Sequence, residues 1–133
     1  MATAPTSFSS LAVLVVDDDA ATRALVTRML LNMGVKFVQQ AANGPEALAL
    51  IRSQRPHLVI CDVEMEPMSG IEVLKALRKS PQSNERTLPF IVLTRHSDPE
   101  IVSAARHEGC NAFLLKPVSP DKLRERMTKA LQQ

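Results

Sequence analysis

The chain has 133 residues, with 16 basic against 14 acidic side chains, a net charge of +2 and a hydrophobic share of 45%. That length suits one domain able to bury its own core, and the scattered, nearly balanced charge argues against a nucleic-acid or membrane-surface partner. No apolar stretch approaches the roughly 20 residues of a membrane span, and residues 1–10 lack the features of a signal peptide, so the cytoplasm is the expected location. Cys61 and Cys110 show no metal-ligand spacing and read as free thiols in a reducing compartment.

In chain order, residues 1–10 are small and polar and read as a disordered lead-in, with one domain over residues 11–133. Leu11 to Val16 is a short apolar run of the kind buried on both faces of a sheet, and His57 to Cys61, Phe90 to Leu93 and Ala112 to Leu115 repeat it. Lys36 to Ala41 alternates more and reads as a strand nearer an edge. Between these runs lie helical stripes: Leu25, Met29 and Met33; then Ala47, Leu50 and Ile51; then Ile71, Leu74 and Leu77. Capping signals support the helices at Asn43 with Glu46, Ser69 with Glu72, Ser97 with Glu100, and Ser119 before Pro120. Gly34 and Gly109 stand where left-handed helix stops are expected. Five strand–helix alternations predict an α/β fold: a flavodoxin-like, doubly wound, five-stranded parallel sheet of order 2-1-3-4-5, with five helices on its two faces.

In such a sheet, ligands bind beyond the carboxyl ends of the strands, near the point where strand order reverses. There the sequence places Asp17-Asp18-Asp19, Asp62, Thr94 and Lys116-Pro117. Clustered carboxylates repel one another unless a cation is present, and a hard divalent ion with oxygen ligands, Mg²⁺, resolves the conflict. Asp62 has the chemistry of a carboxylate nucleophile, Lys116 that of a point positive charge and Thr94 that of a hydroxyl donor, a set suited to phosphoryl transfer. Pro117 directly after the lysine suggests a cis bond there. Asp19 reads as a helix cap. His57 and His107 read as structural or solvated, and Met65 and Met68 as packing beneath the loop after Asp62.

These pieces, V-V-D-D-D at Val15 to Asp19, C-D-V-E-M-E-P-M-S-G at Cys61 to Gly70, L-T at Leu93 and Thr94, and L-K-P at Leu115 to Pro117, together resemble the receiver domain of response regulators, from about Leu11 to the C-terminus. The resemblance implies Asp62 as phosphoacceptor, with Thr94 and Lys116 contacting the phosphoryl group. It implies Mg²⁺ held by Asp18, Asp62 and the backbone carbonyl of Glu64, with Asp17 acting largely through water. It further implies Thr94 and Phe113 as the switch pair, and Glu64 and His96 as positions that tune dephosphorylation.

Glu66 stands where the family has proline, with Pro67 one place later. Arg95 replaces a small residue beside the threonine, so its volume or charge is expected to alter the site. Phe113 takes the place of a commoner tyrosine. The implied function is a stand-alone response regulator in two-component signalling, not an enzyme. It accepts a phosphoryl group from a histidine kinase or histidine phosphotransfer protein and changes a surface read by a downstream protein. The alternatives are a phosphorylation-independent pseudo-receiver scaffold and a metal-dependent phosphohydrolase, the latter lacking the aspartate it needs at Glu64. Lys122, Arg126 and Lys129, spaced i, i+4 and i+7, read as a solvated helix face or a docking surface.

Overall fold

The computed structural model describes residues 8–95 and 97–132. Its elements are β1 (Ala12–Val16), α1 (Ala20–Asn32), β2 (Phe37–Ala41), α2 (Gly44–Gln54), β3 (Leu58–Asp62), α3 (Gly70–Arg78), α4 (Ser83–Arg86), β4 (Phe90–Thr94), α5 (Pro99–His107), β5 (Ala112–Leu115) and α6 (Pro120–Leu131). All strand pairs are parallel, in the order β2-β1-β3-β4-β5. This is the expected flavodoxin-like sheet. The central strands β3 and β4 are buried at every residue, while β2 is exposed at Phe37 and Gln40, as befits an edge.

Alternation along the strands divides the core in two. Val13, Val15, Leu58, Ile60, Ile91 and Leu93 pack on one face against Val26 and Leu30 of α1 and Leu123 and Met127 of α6. Leu14, Val16, Val59, Cys61 and Val92 pack on the other against Ile51 of α2, Leu74 and Leu77 of α3 and Ala105 of α5. Each fully buried leucine contributes about 2 kcal/mol of transfer free energy. Phe8, just outside β1, is also buried in the first cluster, with the Arg124 guanidinium 5.7 Å from its ring centre. Residues 1–7 of the expected lead-in lie outside the described residues.

Three local expectations shift. The buried stripe of α1 runs through Val26 and Leu30, flanked by Met29 and Met33, and Leu25 is 49% exposed. Polar residues do not separate the two registers there, so the sequence pattern is ambiguous. The cap of α5 is Asp98, whose carboxylate accepts from the Glu100 amide at 2.9 Å, rather than Ser97. A one-turn helix, α4, adds to the five expected, and four residues are too few to show a stripe.

Elsewhere the signals are realised: Asn43 and Ser119 cap α2 and α6, and Ser69 with Glu72 forms a complete capping box on α3. Gly34 and Gly109 have φ of 99° and 90°, the left-handed region that ends a helix without a Cβ clash. Arg55 ends α2 in the same region, at φ 48°. Among the described residues no helix is long and apolar enough to cross a membrane.

Candidate functional site

The carboxyl ends of β1, β3, β4 and β5 form one rim. Parallel register sets Val16 beside Cys61 and Thr94 beside Leu115, so the residues just beyond these positions converge. Asp17 and Thr94 are fully buried and Asp62 is 4% exposed, whereas Asp18 projects into solvent. Carboxylate oxygens of Asp17, Asp18 and Asp62 lie within 4.8 Å of one another.

Lys116 enters from the end of β5. Its ammonium is 2.8 Å from Asp17 Oδ2 and 3.5 Å from Asp62 Oδ2, so it neutralises Asp17 more closely than the nucleophile candidate. Asp17 Oδ1 accepts from the Asp19 amide at 2.9 Å, and Asp19 in turn caps α1 through Ala21 N and the Thr22 hydroxyl. The Thr22 hydrogen bond is the largest of the causes that hold Asp19 below the usual carboxylate range. Asp19 is thus engaged locally, as its reading as a cap requires.

Asp62 is electrostatically unlike these neighbours. Burial, followed by the Asp17 charge, raises its pKa to about 6, against the opposing pull of Lys116 and of the Val63 and Glu64 amides. Its Oδ1 is buried and has no hydrogen-bond partner among the described residues. Burial, with Asp62 and Asp17 adding to it, holds the Cys61 thiol protonated well above its ordinary range, so Cys61 is no competing nucleophile.

The rim fits a hard divalent cation. It offers oxygen donors only, with one ammonium against three carboxylates and a buried carboxylate oxygen lacking a partner. Asp18, exposed on one side of the cluster, leaves room for water ligands.

The loop after β3 is held tightly. The Gly70 amide donates to Val63 O at 2.9 Å, and a Cβ on Gly70 would lie 2.0 Å from the Asp62 carbonyl oxygen. That contact, invisible in the sequence pattern, explains glycine at the start of α3. Met65 is buried and Met68 packs partly against the second core, as expected, and the Glu66–Pro67 and Lys116–Pro117 peptides are both cis.

Arg95 is exposed and lines a shallow pocket with Thr22, Leu25, Lys116, Pro117 and Val118, beside the rim and toward α1. Glu64 is exposed at the loop. His96 lies outside the described residues. Phe113 is half-buried on β5 in a groove between α5 and α6, where Val102 and Leu115 supply further apolar surface and Arg106, Lys122, Arg126 and Lys129 supply charge. His57 is structural: its Nδ1 accepts from the Ala12 amide at 2.9 Å, and its own amide donates to Ala12 O at 2.8 Å. Sequence reasoning missed Arg23, whose guanidinium donates to the Asp17 carbonyl at 2.6 Å. Only its spacing from Asp19, one helical turn, hinted at a place near the site.

Comparison with known proteins agrees with this geometry. Residues 13–128 match the response regulator receiver domain family. A probable chemotaxis protein CheY of Rhizobium etli is 36% identical over 112 residues, covering 84% of this chain and 85% of that protein. An uncharacterized 14.6 kDa protein of Leptolyngbya boryana is 41% identical over 111 residues, covering 84% and 82%. Among solved structures, the chemotaxis response regulator CheY4 of Vibrio cholerae superposes with a TM-score of 0.83 at 35% identity, covering 92% of this chain and all of that one. A putative response regulator from Chloroflexus aurantiacus gives 0.86 at 32% identity, covering 92% and 98%. With a family match spanning nearly the whole described chain and a sheet of the same order, this protein belongs to the response regulator receiver domains of two-component systems.

Proposed function

We propose that the chain is a phosphorylation-operated switch that takes a phosphoryl group from a phosphohistidine of a histidine kinase or histidine phosphotransfer protein onto Asp62. The observation that carries this reading is Asp62 itself, a buried carboxylate with an unpartnered oxygen, 3.5 Å from the Lys116 ammonium and within 4.8 Å of two further carboxylates.

A carboxylate oxygen of Asp62 attacks the phosphorus, the P–N bond breaks, and the bonding pair leaves with the imidazole. With a pKa of about 6 in the metal-free site, Asp62 is largely ionised at neutral pH and keeps its nucleophilic form. Asp18, Asp62 and the Glu64 backbone carbonyl would hold Mg²⁺, with Asp17 acting mainly through water. The ion, when bound, supplies charge neutralisation for the phosphoryl oxygens. Lys116 sits between Asp17 and Asp62 and can follow the new negative charge with a small movement of a flexible side chain.

Thr94 lies at the end of β4 on the site side, and Phe113 lies on the neighbouring strand opposite Val92. A hydroxyl drawn toward a phosphoryl group would leave space that the ring can fill, biasing the groove between α5 and α6 toward a second shape. That groove, with an apolar floor and a mainly basic rim in which Glu125 pairs with Arg126, is where a downstream protein would read the switch. The setting is cytoplasmic and the protein is not a turnover enzyme.

Incubation with a small phosphoryl donor and Mg²⁺, followed by intact-mass measurement, tests the reading. A lasting single phosphoryl adduct is expected. No adduct would favour a phosphorylation-independent scaffold, and continuing release of phosphate without an adduct would favour a hydrolase.

A further inference from the structure

We propose that Arg23 is a positioning residue for the carboxylate site, fixing the direction in which Asp18 presents its side chain. The inference rests on the reading of that site as a Mg²⁺ site.

Arg23 is in the first turn of α1, half-buried, and its guanidinium makes two contacts in different elements. Nη1 donates to the backbone carbonyl of Asp17 at 2.6 Å, and Nε donates to Gln40 Oε1 on β2 at 3.3 Å. The Asp17 amide meanwhile donates to Ala41 O, also on β2, at 3.1 Å. The end of β1 is therefore tied to the end of β2 from both sides of Asp17. The Asp17 carbonyl oxygen and the Asp18 nitrogen and Cα lie in one rigid peptide plane, so anchoring the oxygen fixes the orientation of Asp18 at its root.

Asp18 needs that restraint more than its neighbours do. Asp17 is held by Lys116 and the Asp19 amide, and Asp62 by its position in β3, whereas Asp18 is exposed just beyond the strand. A chain end free to reorient loses backbone conformational entropy when its carboxylate binds a cation, and a fixed peptide plane removes that backbone part of the cost beforehand, leaving only the side-chain torsions to be ordered.

The Arg23 charge acts in the opposite sense, since a cation near the rim repels an incoming divalent ion. Arg23 is half exposed, so solvent screens this repulsion, while the hydrogen bond to Asp17 is short and charge-assisted. Positioning should dominate.

The two effects separate in a titration with Mn²⁺ as the probe ion, followed by its electron paramagnetic resonance signal on the intact folded protein. Arg23→Lys keeps the charge but cannot bridge the two acceptors with a planar fork, and Arg23→Met removes both. Positioning predicts that both variants bind Mn²⁺ about tenfold more weakly than the parent, a typical effect for groups that orient metal ligands. It also predicts faster exchange of the Asp17 amide, which is bonded to Ala41 O, in metal-free Arg23→Met. Tighter binding by Arg23→Met with Arg23→Lys unchanged would show that only charge matters and overturn the proposal, as would parent-like binding by both or unchanged exchange. A parent that binds no Mn²⁺ would overturn it together with the metal reading, whereas a binding parent with indifferent Arg23 variants would overturn this inference alone.

Discussion

Two polar clusters, the first half-exposed and the second largely buried, sit at opposite ends of the sheet and are built on opposite terms. At the amino ends of β4 and β5, Arg78 donates to Gly109 O through Nε and Nη2 at 3.1 and 2.9 Å, and to Asn111 Oδ1 at 3.0 Å. That same Asn111 oxygen accepts from the Phe90 amide at 2.9 Å, so α3, β4 and the turn before β5 share one network. At the carboxyl ends, three carboxylates face one ammonium, Asp62 keeps a partnerless oxygen, and its pKa is raised to about 6. A satisfied network adds stability, while an unsatisfied one costs stability until something binds. The first cluster is a fastening, and the second has the unsatisfied charge that the proposed ligand would relieve.

Breaking the fastening should cause the largest loss of stability. Arg78→Ala removes the hydrogen bonds to Gly109 O and Asn111 Oδ1, acceptors that water can partly serve, and should destabilise the protein by about 3 kcal/mol in denaturant melts. The stabilisation conferred by Mg²⁺ should survive, because among the described residues no Arg78 hydrogen bond reaches the rim. A variant that lost both would show that the two ends are coupled.

Relieving the rim should work the other way. A carboxyl whose folded pKa lies above its unfolded one holds its proton more tightly when folded, so ionisation disfavours the fold. For Asp62 the penalty is absent below about pH 4, grows as the unfolded chain ionises first, and is complete above about pH 6. A rise from 3.8 to about 6 corresponds to about 3 kcal/mol. In metal-free buffer, Asp62→Asn should therefore be more stable than the parent by that order at pH 8 and equal to it near pH 3.5. Melts at the two pH values check this, and a destabilised variant at pH 8 would contradict the assigned electrostatics.

A smaller effect tests the ligand. Mg²⁺ at ten times its dissociation constant should stabilise the parent by about 1.4 kcal/mol. Heating curves with and without the ion should coincide in Asp18→Ala, and a full shift in that variant would place the metal elsewhere.

The smallest effect concerns Arg95, beside the rim and exposed. Its charge acts over several Å while its stem extends into solvent, so Arg95→Ala should lose a phosphoryl group a few-fold faster than the parent, less so at high salt. Decay followed from equal starting fractions measures this, and slower decay in the variant would favour a role for Arg95 in guarding the approach from α1.

How far the sequence revealed each cluster follows from the range of its contacts. The rim was legible because each of its residues ends a strand that is itself an apolar run, and a parallel sheet brings such ends together without further information. Lys116 and Asp62 could be placed on that rule alone, although the closer pairing of Lys116 with Asp17 could not. The fastening was hidden: Arg78 reaches residues 31 and 33 positions away, and nothing local distinguishes it from a solvated arginine. Arg23 was hidden for a different reason, since its partner is a backbone carbonyl, which carries no side-chain signature. The α1 stripe was misplaced at Leu25 because both candidate faces hold apolar residues, and only packing against Leu58 and Met127 of the first core selects Val26 and Leu30.

The central claim, that Asp62 is the group left unsatisfied in order to react, is tested most directly by locating the phosphoryl group. After incubation with a small phosphoryl donor and Mg²⁺, peptide mass mapping of the parent should place a hydroxylamine-sensitive phosphoryl group on Asp62, and folded Asp62→Asn should acquire none. Equal labelling of the variant, or a phosphoryl group mapped to any other residue of the parent, would contradict the account.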